Sequence, residues 1–501
     1  MKQKKELQLT SQGIQNFTFK KIDGFIISII LVLALCLRLY QLTNVPLTDW
    51  NSWRQSDTAA VARNFVKNEF NLLYPKSYDL SKYQSGMYNP EGYRLIEFPI
   101  YNTSFAAIYK YFPLFNLETY GRIISVVFSL LLIYLIYYLT LKEEGRIAAV
   151  FAALIFSCMP FFIFYSRAVL PDMMALSIIF LSIFFMYLAK DKTKKIPFYI
   201  CVFLSALTAA IAILIKVTTI IFLIPIVYLL FKRYGLDLLK KIPFYIFFLL
   251  TLMPFILWRY WFMKFPEGIP SSEWLFTTIT NPDEIPVHFR PIFFRSVFYD
   301  RILNLILGGF LIFPLLLGLL KKPQRSFFLY FIGLSSLLYL FIFQRENIVH
   351  DYYQIMILPS LAIFCGIGIN FIFNKQKLFS SILLNIVTVV FILISSFYFS
   401  YFKVKDYYAY NYDLVNIAKI INTLTSQEDH IITDTNGDTT LLYLSDRKGY
   451  PAITDELSIL HEKGADYFIT LDEDSKQKAD GKYKQIFQSD KVFIYDLHQS
   501  L

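Results

Sequence analysis

The chain has 501 residues, of which 56% are hydrophobic and only 17% are charged, and its mean hydropathy is +0.47. Soluble proteins carry about 25% charged residues, so this composition excludes an ordinary soluble domain and predicts a membrane protein. The net charge of +10 is explained by the positions of the basic residues in a membrane protein. It therefore does not indicate a nucleic-acid partner, and we expect none. All four cysteines fall in apolar runs, which excludes a disulfide framework or a CxxC site.

Apolar runs predict eleven transmembrane helices, because a helix needs about 20 such residues to cross the bilayer. The runs lie at residues 24–40, 122–140, 147–164, 172–189, 197–213, 218–231, 243–260, 302–320, 326–343, 354–373 and 379–400. The first run is long and lacks a small-x-small cleavage site, so we expect a signal anchor.

Basic connections alternate with connections that are poor in lysine and arginine. The basic ones are the amino terminus and residues 142–146, 190–195, 232–241, 321–325 and 375–377. Short basic loops stay in the cytoplasm, so the pattern predicts a multi-pass protein of the inner or plasma membrane with a cytoplasmic amino terminus. Residues 98–112 are apolar enough for a twelfth span, but a crossing there would invert every later loop. We therefore expect an interfacial helix.

This topology predicts a cytoplasmic segment at 1–23, a helical transmembrane domain at 24–400 and an extracytoplasmic α/β domain at 401–501. The first outer loop, residues 41–121, would carry the interfacial helices. In the last part we expect strands near residues 430–434, 465–470 and 491–495 and helices at 412–424 and 455–463. The predicted fold class is an all-α polytopic membrane protein with a small C-terminal α/β domain.

Charged side chains gather on the predicted outer face from separate parts of the chain. They are Asp49, Arg54, Asp57, Glu97, Arg167, Asp172, Lys216, Arg345 and His350. A charge inside the bilayer costs about 2.5–3.5 kcal/mol even on a lenient scale, so their shared side predicts a polar reaction cavity at the interface. Taken singly, each has a simpler interpretation as a local ion pair, a helix N-terminal charge, a snorkelling lysine or a surface histidine. The basic segment 441–450 is interpreted as a surface turn, with contact to an acceptor as the alternative.

The outer face restricts the chemistry. There is no supply of ATP or nucleotide sugars outside the cytoplasm, so a group-transfer enzyme there must take its donor from the bilayer. A polyprenyl-phosphate-linked sugar fits this requirement. Its transfer needs a base near the acceptor hydroxyl, and cations around the phosphate as charge builds on the leaving group.

In this order, the residues resemble the GT-C superfamily of polyprenyl-phosphate-sugar glycosyltransferases, in the branch of the protein O-mannosyltransferases and the ArnT-like lipid A aminoarabinose transferases. The matching segments are Asp49 to Asp57 with Arg63-Asn64, Glu97-Phe98-Pro99, Ser166-Arg167 through Pro171-Asp172, Lys216, and His350-Asp351-Tyr352-Tyr353. The resemblance covers essentially the whole membrane region. It implies a GT-C-like fold and a cell-envelope enzyme that transfers a sugar, with inversion, to a lipid, glycan or protein.

The resemblance also implies roles for individual residues. Asp49 is the expected general base, with Asp57 second, and Asp172 is a further catalytic residue that would hold the sugar or acceptor or support the base. The expected substrate-binding residues are Arg54, Glu97, Arg167, Lys216, His350, Tyr352 and Tyr353. The superfamily usually has an adjacent Asp-Glu shortly before Arg-Asn, whereas this register holds Arg54-Gln55, so the identity of the base stays open. Some relatives use a divalent metal, and carboxylates here could ligate one, although the sequence has no clear ligand spacing.

Two other functions remain alternatives. A transporter or flippase of a lipid-linked glycan would need polar groups near the bilayer midplane and paired half-sequences. An O-antigen-type polymerase or ligase would place its long outer loop late in the chain. The nearly uncharged helix middles and the long first loop disfavour both.

Overall fold

The computed structural model describes residues 17–269, 290–373 and 381–501, and it is mostly helical. The membrane-region helices are α1 Lys21–Arg38, α2 Ser52–Lys67, α3 Ile100–Tyr111, α4 Leu117–Glu144, α5 Arg146–Cys158, α6 Pro160–Tyr165, α7 Asp172–Ala189, α8 Lys195–Ile215, α9 Leu223–Tyr234, α10 Ile242–Phe262, α11 Pro291–Phe293, α12 Ile312–Leu320, α13 Phe328–Ile342, α14 Gln344–Val349, α15 Leu358–Phe373 and α16 Ile382–Val404. Short 3₁₀ helices cover Val217–Phe222, Gly235–Lys240, Asp351–Ile357 and Lys405–Tyr408, and a π-helix continues α11 over Phe294–Ile306. The predicted basic residues before residue 17 and at 375–377 lie outside the described residues.

Every predicted apolar run overlaps a helix within the described residues. Seven helical stretches there are long and apolar enough to cross a membrane. Helix α1 has 18 residues but includes three charged ones, Lys21, Asp23 and Arg38, and the remaining runs are short or interrupted. Pro160 starts a new helix after α5 because proline cannot donate the hydrogen bond that would continue the old one. Gly308 and Gly309, both at positive φ, separate the π-helix from α12. The polytopic helical fold is confirmed, and the number of eleven spans remains a prediction.

The basic connections meet at one end of the helix bundle. Arg146 binds Asp23 with an N–O distance of 2.7 Å, and Lys321 binds Glu144 at 2.8 Å. These ion pairs join the first turn of α1, the junction of α4 and α5, and the connection after α12. The charged residues of the predicted outer face lie at the opposite end, so the two groups of loops are separated as the charge pattern requires.

Glycines allow close backbone contacts inside the bundle. Gly318 of α12 and Gly368 of α15 face each other, and a Cβ on either one would overlap the other helix's backbone, at Phe364 and Pro314 respectively. Gly366 lies against α5 in the same way. Small residues at helix contacts let dispersion forces act between backbones, which matters where lipid removes most of the hydrophobic driving force.

Two helices of the first outer loop cover the end of the bundle. The helix α3 has 12 residues, so at about 1.5 Å per residue it is roughly 18 Å long, well short of the ~30 Å hydrocarbon core. It packs between α2 and α4. Helix α2 contains both apolar and polar residues, and most of them are buried. The first outer loop is therefore a folded part of the molecule.

The C-terminal part contains a five-stranded mixed sheet with the order β2-β1-β3-β5-β4. Its elements are α17 Tyr412–Leu424, β1 Ile431–Thr433, α18 Thr440–Ser445, β2 Gly449–Tyr450, α19 Leu457–Glu462, β3 Tyr467–Thr470, α20 Glu473–Lys476, β4 Tyr483–Ser489 and β5 Val492–Ser500. Strands β2, β1 and β3 are parallel, and β5 is antiparallel to β3 and β4. The expected strands and helices are present. The sequence did not predict β2, which has two residues, or β4, in which Ile486 and Phe487 stand among polar residues.

The first outer loop and the sheet pack against each other. The amide of Leu80 donates to the carbonyl of Gly449 at 2.8 Å, and the amide of Gly449 donates to the carbonyl of Tyr78 at 3.0 Å, which extends the sheet beyond β2. On α2, Arg63 stacks over the ring of Tyr443 at 3.6 Å. The interpretation of residues 441–450 as a surface turn is therefore wrong, because most of them are buried in this contact.

We expect Gly368→Ala to lower the stability of the bundle by about 1–3 kcal/mol, the usual cost of overpacking. The added methyl group would force α12 and α15 apart. Gly24→Ala in α1 is the control, since the nearest atom to its Cβ would be 3.8 Å away. Fluorescence-detected thermal unfolding in detergent measures the effect. Equal unfolding temperatures for the two variants would contradict the packing.

Candidate active site

A buried ion pair joins the start of α2 to the end of the first loop. The Nη2 of Arg54 donates to Oε1 of Glu97 at 2.5 Å, and its Nη1 donates to Thr58 at 3.1 Å. The amide of Phe98 donates to the carbonyl of Leu214 at 3.0 Å, which holds Glu97 beside the end of α8. The local Arg54–Asp57 pair considered from the sequence does not form.

A second buried ion pair joins two helix ends. Lys216 follows α8 and Asp172 begins α7, and their N–O distance is 2.7 Å with side chains that are 7% and 0% exposed. The ammonium of Lys216 also lies 5.1 Å from the ring centre of Tyr353. Lys216 is thus held by a carboxylate and an aromatic face, and it does not extend to the membrane surface.

Asp57 of α2 forms a third ion pair within the first loop and a hydrogen bond to the C-terminal part. Asp57 binds Arg94 at 2.7 Å, with both side chains almost fully buried, and accepts a hydrogen bond from Thr439 at 2.6 Å. Thr439 precedes α18. Asp57, which was expected as an alternative base, therefore links the first loop to the segment before α18.

The turn before α15 is fixed by one carboxylate. Asp351 accepts hydrogen bonds from Trp50 at 3.0 Å, Asn51 at 3.0 Å, Tyr165 at 2.7 Å and Tyr407 at 2.6 Å. Four donors satisfy the lone pairs of a carboxylate that is 7% exposed. This network joins the first loop, α6 and the segment after α16 to the turn.

The same turn places a row of rings at the site. The rings of His350 and Tyr352 stack with centroids 5.5 Å apart, and those of Tyr352 and Tyr353 with centroids 4.5 Å apart. Trp53 of α2 lies 5.1 Å from His350. The three residues expected from the sequence therefore form one aromatic wall.

These elements enclose a cavity of about 730 Å³, which we call the main cavity. Its charged lining residues are Arg54, Arg94, Glu97, Lys216, Arg259, Arg345, Glu346 and Asp438, and its rings include Trp53, Tyr83, His350, Tyr352 and Tyr353. Five cations and three carboxylates leave the described lining with a surplus of positive charge. One wall comes from Phe255 and Arg259 of α10, a helix that exposes most of its apolar side chains. The cavity therefore lies beside a helix suited to contact lipid.

Ionisation differs among the cavity carboxylates. Burial opposes the charge of Glu97, but Arg54 and Lys216 outweigh it and hold the pKa of Glu97 below its usual value. Burial raises the pKa of Glu346 and of Asp438. Glu97 is therefore the most acidic of the three and is ionised at neutral pH.

Four of the predicted site residues do not line the main cavity: Asp49, Asp57, Arg167 and Asp172. Asp57 and Asp172 lie one layer behind it, where they bind the lining residues Arg94 and Lys216. The predicted residues that do line the cavity are Arg54, Glu97, Lys216, His350, Tyr352 and Tyr353.

Asp49, the expected base, accepts a hydrogen bond from Gln55 at 2.8 Å and is 7% exposed. Burial raises the pKa of Asp49, while Arg122 and Arg167 act in the opposite direction. Asp49 is not among the lining residues of the main cavity, and its role as the base remains a prediction.

Arg167 was expected to bind substrate, and the structure gives it another role. It donates to the carbonyls of Tyr40 and Gln41 and to the hydroxyl of Tyr410 at 3.3 Å. Arg122 donates to the carbonyls of Val45 and Pro46 in the same segment. Both guanidinium groups are occupied in holding the chain between α1 and α2.

Sequence reasoning missed Arg94, Glu346, Asp351 and Asp438 as site residues. Asp351 lies inside the His350-Asp351-Tyr352-Tyr353 motif and Glu346 lies four positions before it, so the motif could have drawn attention to both. Arg94 and Asp438 carry no local signal, because their positions depend on how the first loop packs against the sheet.

The described residues contain no group of three histidine, cysteine, aspartate or glutamate side chains close enough to hold a metal ion. The cavity carboxylates are instead paired with arginine or lysine or spread over separate walls. The donor set in the described part of the chain does not fit a divalent metal.

Comparisons with known proteins bear on the fold. The sequence profile of the family described as dolichyl-phosphate-mannose-protein mannosyltransferase matches residues 106–261, and no curated protein sequence matches the chain. The structure is similar to ArnT from Cupriavidus metallidurans in the apo state, with 14% identity, a TM-score of 0.63, and coverage of 95% of this chain and 98% of that chain.

Two further solved structures carry bound lipids. ArnT from Cupriavidus metallidurans bound to undecaprenyl phosphate gives 14% identity, a TM-score of 0.62, and coverage of 94% of this chain and 97% of that one. The archaeal oligosaccharyltransferase AglB from Archaeoglobus fulgidus, in complex with an inhibitory peptide and a dolichol-phosphate, gives 11% identity, a TM-score of 0.58, and coverage of 89% of this chain and 69% of that one.

The fold of the described residues is ArnT-like, as the sequence motifs predicted, and the similarity to ArnT extends over nearly the full length of both chains.

We expect Lys216→Met to destabilise the protein by about 3–5 kcal/mol, because it leaves the Asp172 carboxylate buried without its cation. The double variant Asp172→Leu/Lys216→Met should recover most of this loss, since it removes both charges. Lys240→Met is the control, because its pair with Asp237 is largely exposed and such pairs contribute about 0–1 kcal/mol. Thermal unfolding in detergent compares the three variants. A double variant as unstable as Lys216→Met would contradict a paired role.

His350 should make stability depend on pH. Burial, helped by Arg301 and Arg54, lowers the pKa of His350 below its usual 6.5, with Asp351 opposing. The unfolded chain then binds a proton at a higher pH than the folded protein, so stability falls as the pH drops below about 6.5 toward the folded value. Between pH 7.5 and 5.5, the wild type should lose more thermal stability than His350→Gln. Parallel pH profiles would show that His350 does not contribute.

Proposed function

We propose that this protein is an integral-membrane glycosyltransferase that transfers a sugar from a polyprenyl-phosphate-linked donor to an acceptor on the extracytoplasmic side. The observation that carries the proposal is the main cavity. It combines a surplus of arginine and lysine, an ionised carboxylate and an aromatic wall, and it lies beside the lipid-facing helix α10. The names of the similar structures support it, since undecaprenyl phosphate is bound to ArnT and dolichol-phosphate to AglB.

The cations suit the leaving group. In the proposed complex, Arg54, Lys216 and Arg345 surround the lipid phosphate, and the polyprenyl chain leaves the cavity along α10. Negative charge grows on the phosphate oxygen as its bond to the sugar breaks, and fixed cations stabilise that charge without having to reorganise. Asp172 and Glu97 hold two of these cations in place before the donor binds.

The reaction is a single displacement in this proposal. The acceptor hydroxyl oxygen forms a bond to the anomeric carbon, and the bond from that carbon to the phosphate oxygen breaks. The electron pair of the broken bond stays on the polyprenyl phosphate, and the acceptor proton passes to a carboxylate. Attack from the face opposite the phosphate inverts the configuration.

We assign the proton acceptor to Glu97 and no longer to Asp49. Glu97 lines the cavity, and its lowered pKa keeps it ionised at neutral pH. The register that usually holds an acid in the first loop is occupied here by Arg54, which binds Glu97 directly. In this proposal Glu97, at the other end of the same loop, acts as the base, and Arg54 is a cation at the first position.

Glu97→Gln should reduce sugar transfer by about 10²–10⁴-fold, the usual contribution of a general base. Because it also leaves the buried Arg54 without its carboxylate, turnover is compared at a temperature at which thermal unfolding shows that both proteins are folded. Glu91→Gln is the matched control, since this glutamate is in the same loop, is 55% exposed and binds Lys76 at the surface. The measurement uses purified full-length protein and a panel of radiolabelled polyprenyl-phosphate sugars, and it follows release of polyprenyl phosphate. Wild-type turnover by Glu97→Gln would exclude this residue as the base. No turnover of any donor by the wild type would reject the proposed function.

A further inference from the structure

A second cavity, which we call the sheet cleft, lies in the C-terminal part and has a volume of about 700 Å³. Each of the three parallel strands contributes to it just beyond its carboxyl end. Asp434 follows β1, Ala452 follows β2 and Asp472 follows β3. Open α/β sheets bind their ligands at this edge of the parallel strands, so the position itself favours a ligand site.

The sheet cleft and the main cavity share a wall. Tyr83 of the first loop and Asn436 of the turn after β1 line both cavities. Gly437, at a φ of +91°, lies against the ring of Tyr83, and a Cβ there would be 2.5 Å from Cε1 of that ring. The next residue, Asp438, faces the main cavity. A molecule lying in the cleft therefore reaches the main cavity across a partition one side chain thick.

The chemistry of the sheet cleft differs from that of the main cavity. Carboxylate, amide and hydroxyl groups come from Asp434, Asn436, Thr454 and Ser475, and Lys478 adds an ammonium group. Such groups exchange hydrogen bonds with the hydroxyls of a sugar, whereas an acyl chain would leave them unpaired.

One exposed ring completes the cleft. The side chain of Tyr83 is 52% exposed, so its face is available to the apolar C–H face of a sugar ring. An extended lipid would need a continuous apolar groove, and the described lining has only short apolar stretches.

We propose that the sheet cleft binds a carbohydrate acceptor, with Tyr83 as a stacking platform, Asn436 and Asp434 as hydrogen-bond partners and Lys478 at the rim. The reacting end of the acceptor passes Tyr83 into the main cavity. This inference rests on the proposed function for its catalytic meaning, but the binding itself does not require a donor.

A glycan microarray tests the binding directly. Purified full-length protein in detergent should bind a chemically related group of oligosaccharides on the array. Tyr83→Ala, Asn436→Ala and Lys478→Ala should each reduce the bound signal at least tenfold. Met87→Ala and Lys482→Ala are the matched controls, because they are nearby, exposed and outside both cavities, and they should keep the signal. No binding above the detergent background, or binding that the three variants leave unchanged, would overturn the proposal.

A kinetic measurement distinguishes the two proposals. With a donor that the wild type consumes, Lys478→Ala should raise the KM for the bound glycan at least tenfold, and Lys482→Ala should leave it at the wild-type value. An unchanged KM in Lys478→Ala would overturn the acceptor cleft while the transferase assignment stands. Specific array binding without any donor turnover would keep the cleft and reject the transferase.

Discussion

The structure depends on one constraint: a charge taken out of water needs an opposite charge or a full set of hydrogen bonds. At one end of the bundle this constraint is met by pairs drawn from distant parts of the chain. Asp172 meets Lys216, Arg54 meets Glu97 and Asp57 meets Arg94. Each pair fixes a helix end or the first loop relative to another element. The pairs therefore build the walls of the main cavity and orient its cations toward the interior.

Two of the three acids expected to carry out the chemistry, Asp57 and Asp172, bind groups that face the cavity. Asp57 and Asp172 each bind a lining cation, and Asp351 collects four hydrogen bonds that keep the aromatic turn in place. Such a supporting layer allows the lining side chains to stay oriented without a ligand. In the proposed mechanism, this preorganisation is what stabilises the charge on the departing phosphate.

Much of the fold was predictable, since apolar runs, basic loops and local periodicity are properties of short segments. Helix α7 coincides with its predicted run, and α17 with its predicted helix. The site was only partly predictable. Glu97, Lys216 and His350 were found because their motifs are local, but the partners of Asp57 and Asp49 could not be read from the chain. Arg94 is 37 positions beyond Asp57, and only the packing of the first loop against the sheet brings them together.

The proposed mechanism requires the donor phosphate and the catalytic carboxylate to meet in the main cavity. Photocrosslinking tests this with a polyprenyl phosphate that carries a diazirine beside the phosphate, followed by peptide mapping of the labelled protein. We expect labels on the segments around Arg54, Lys216 and Arg345, with competition by unlabelled polyprenyl phosphate. Labels confined to the opposite end of the bundle, near Glu144 and Lys321, would contradict it.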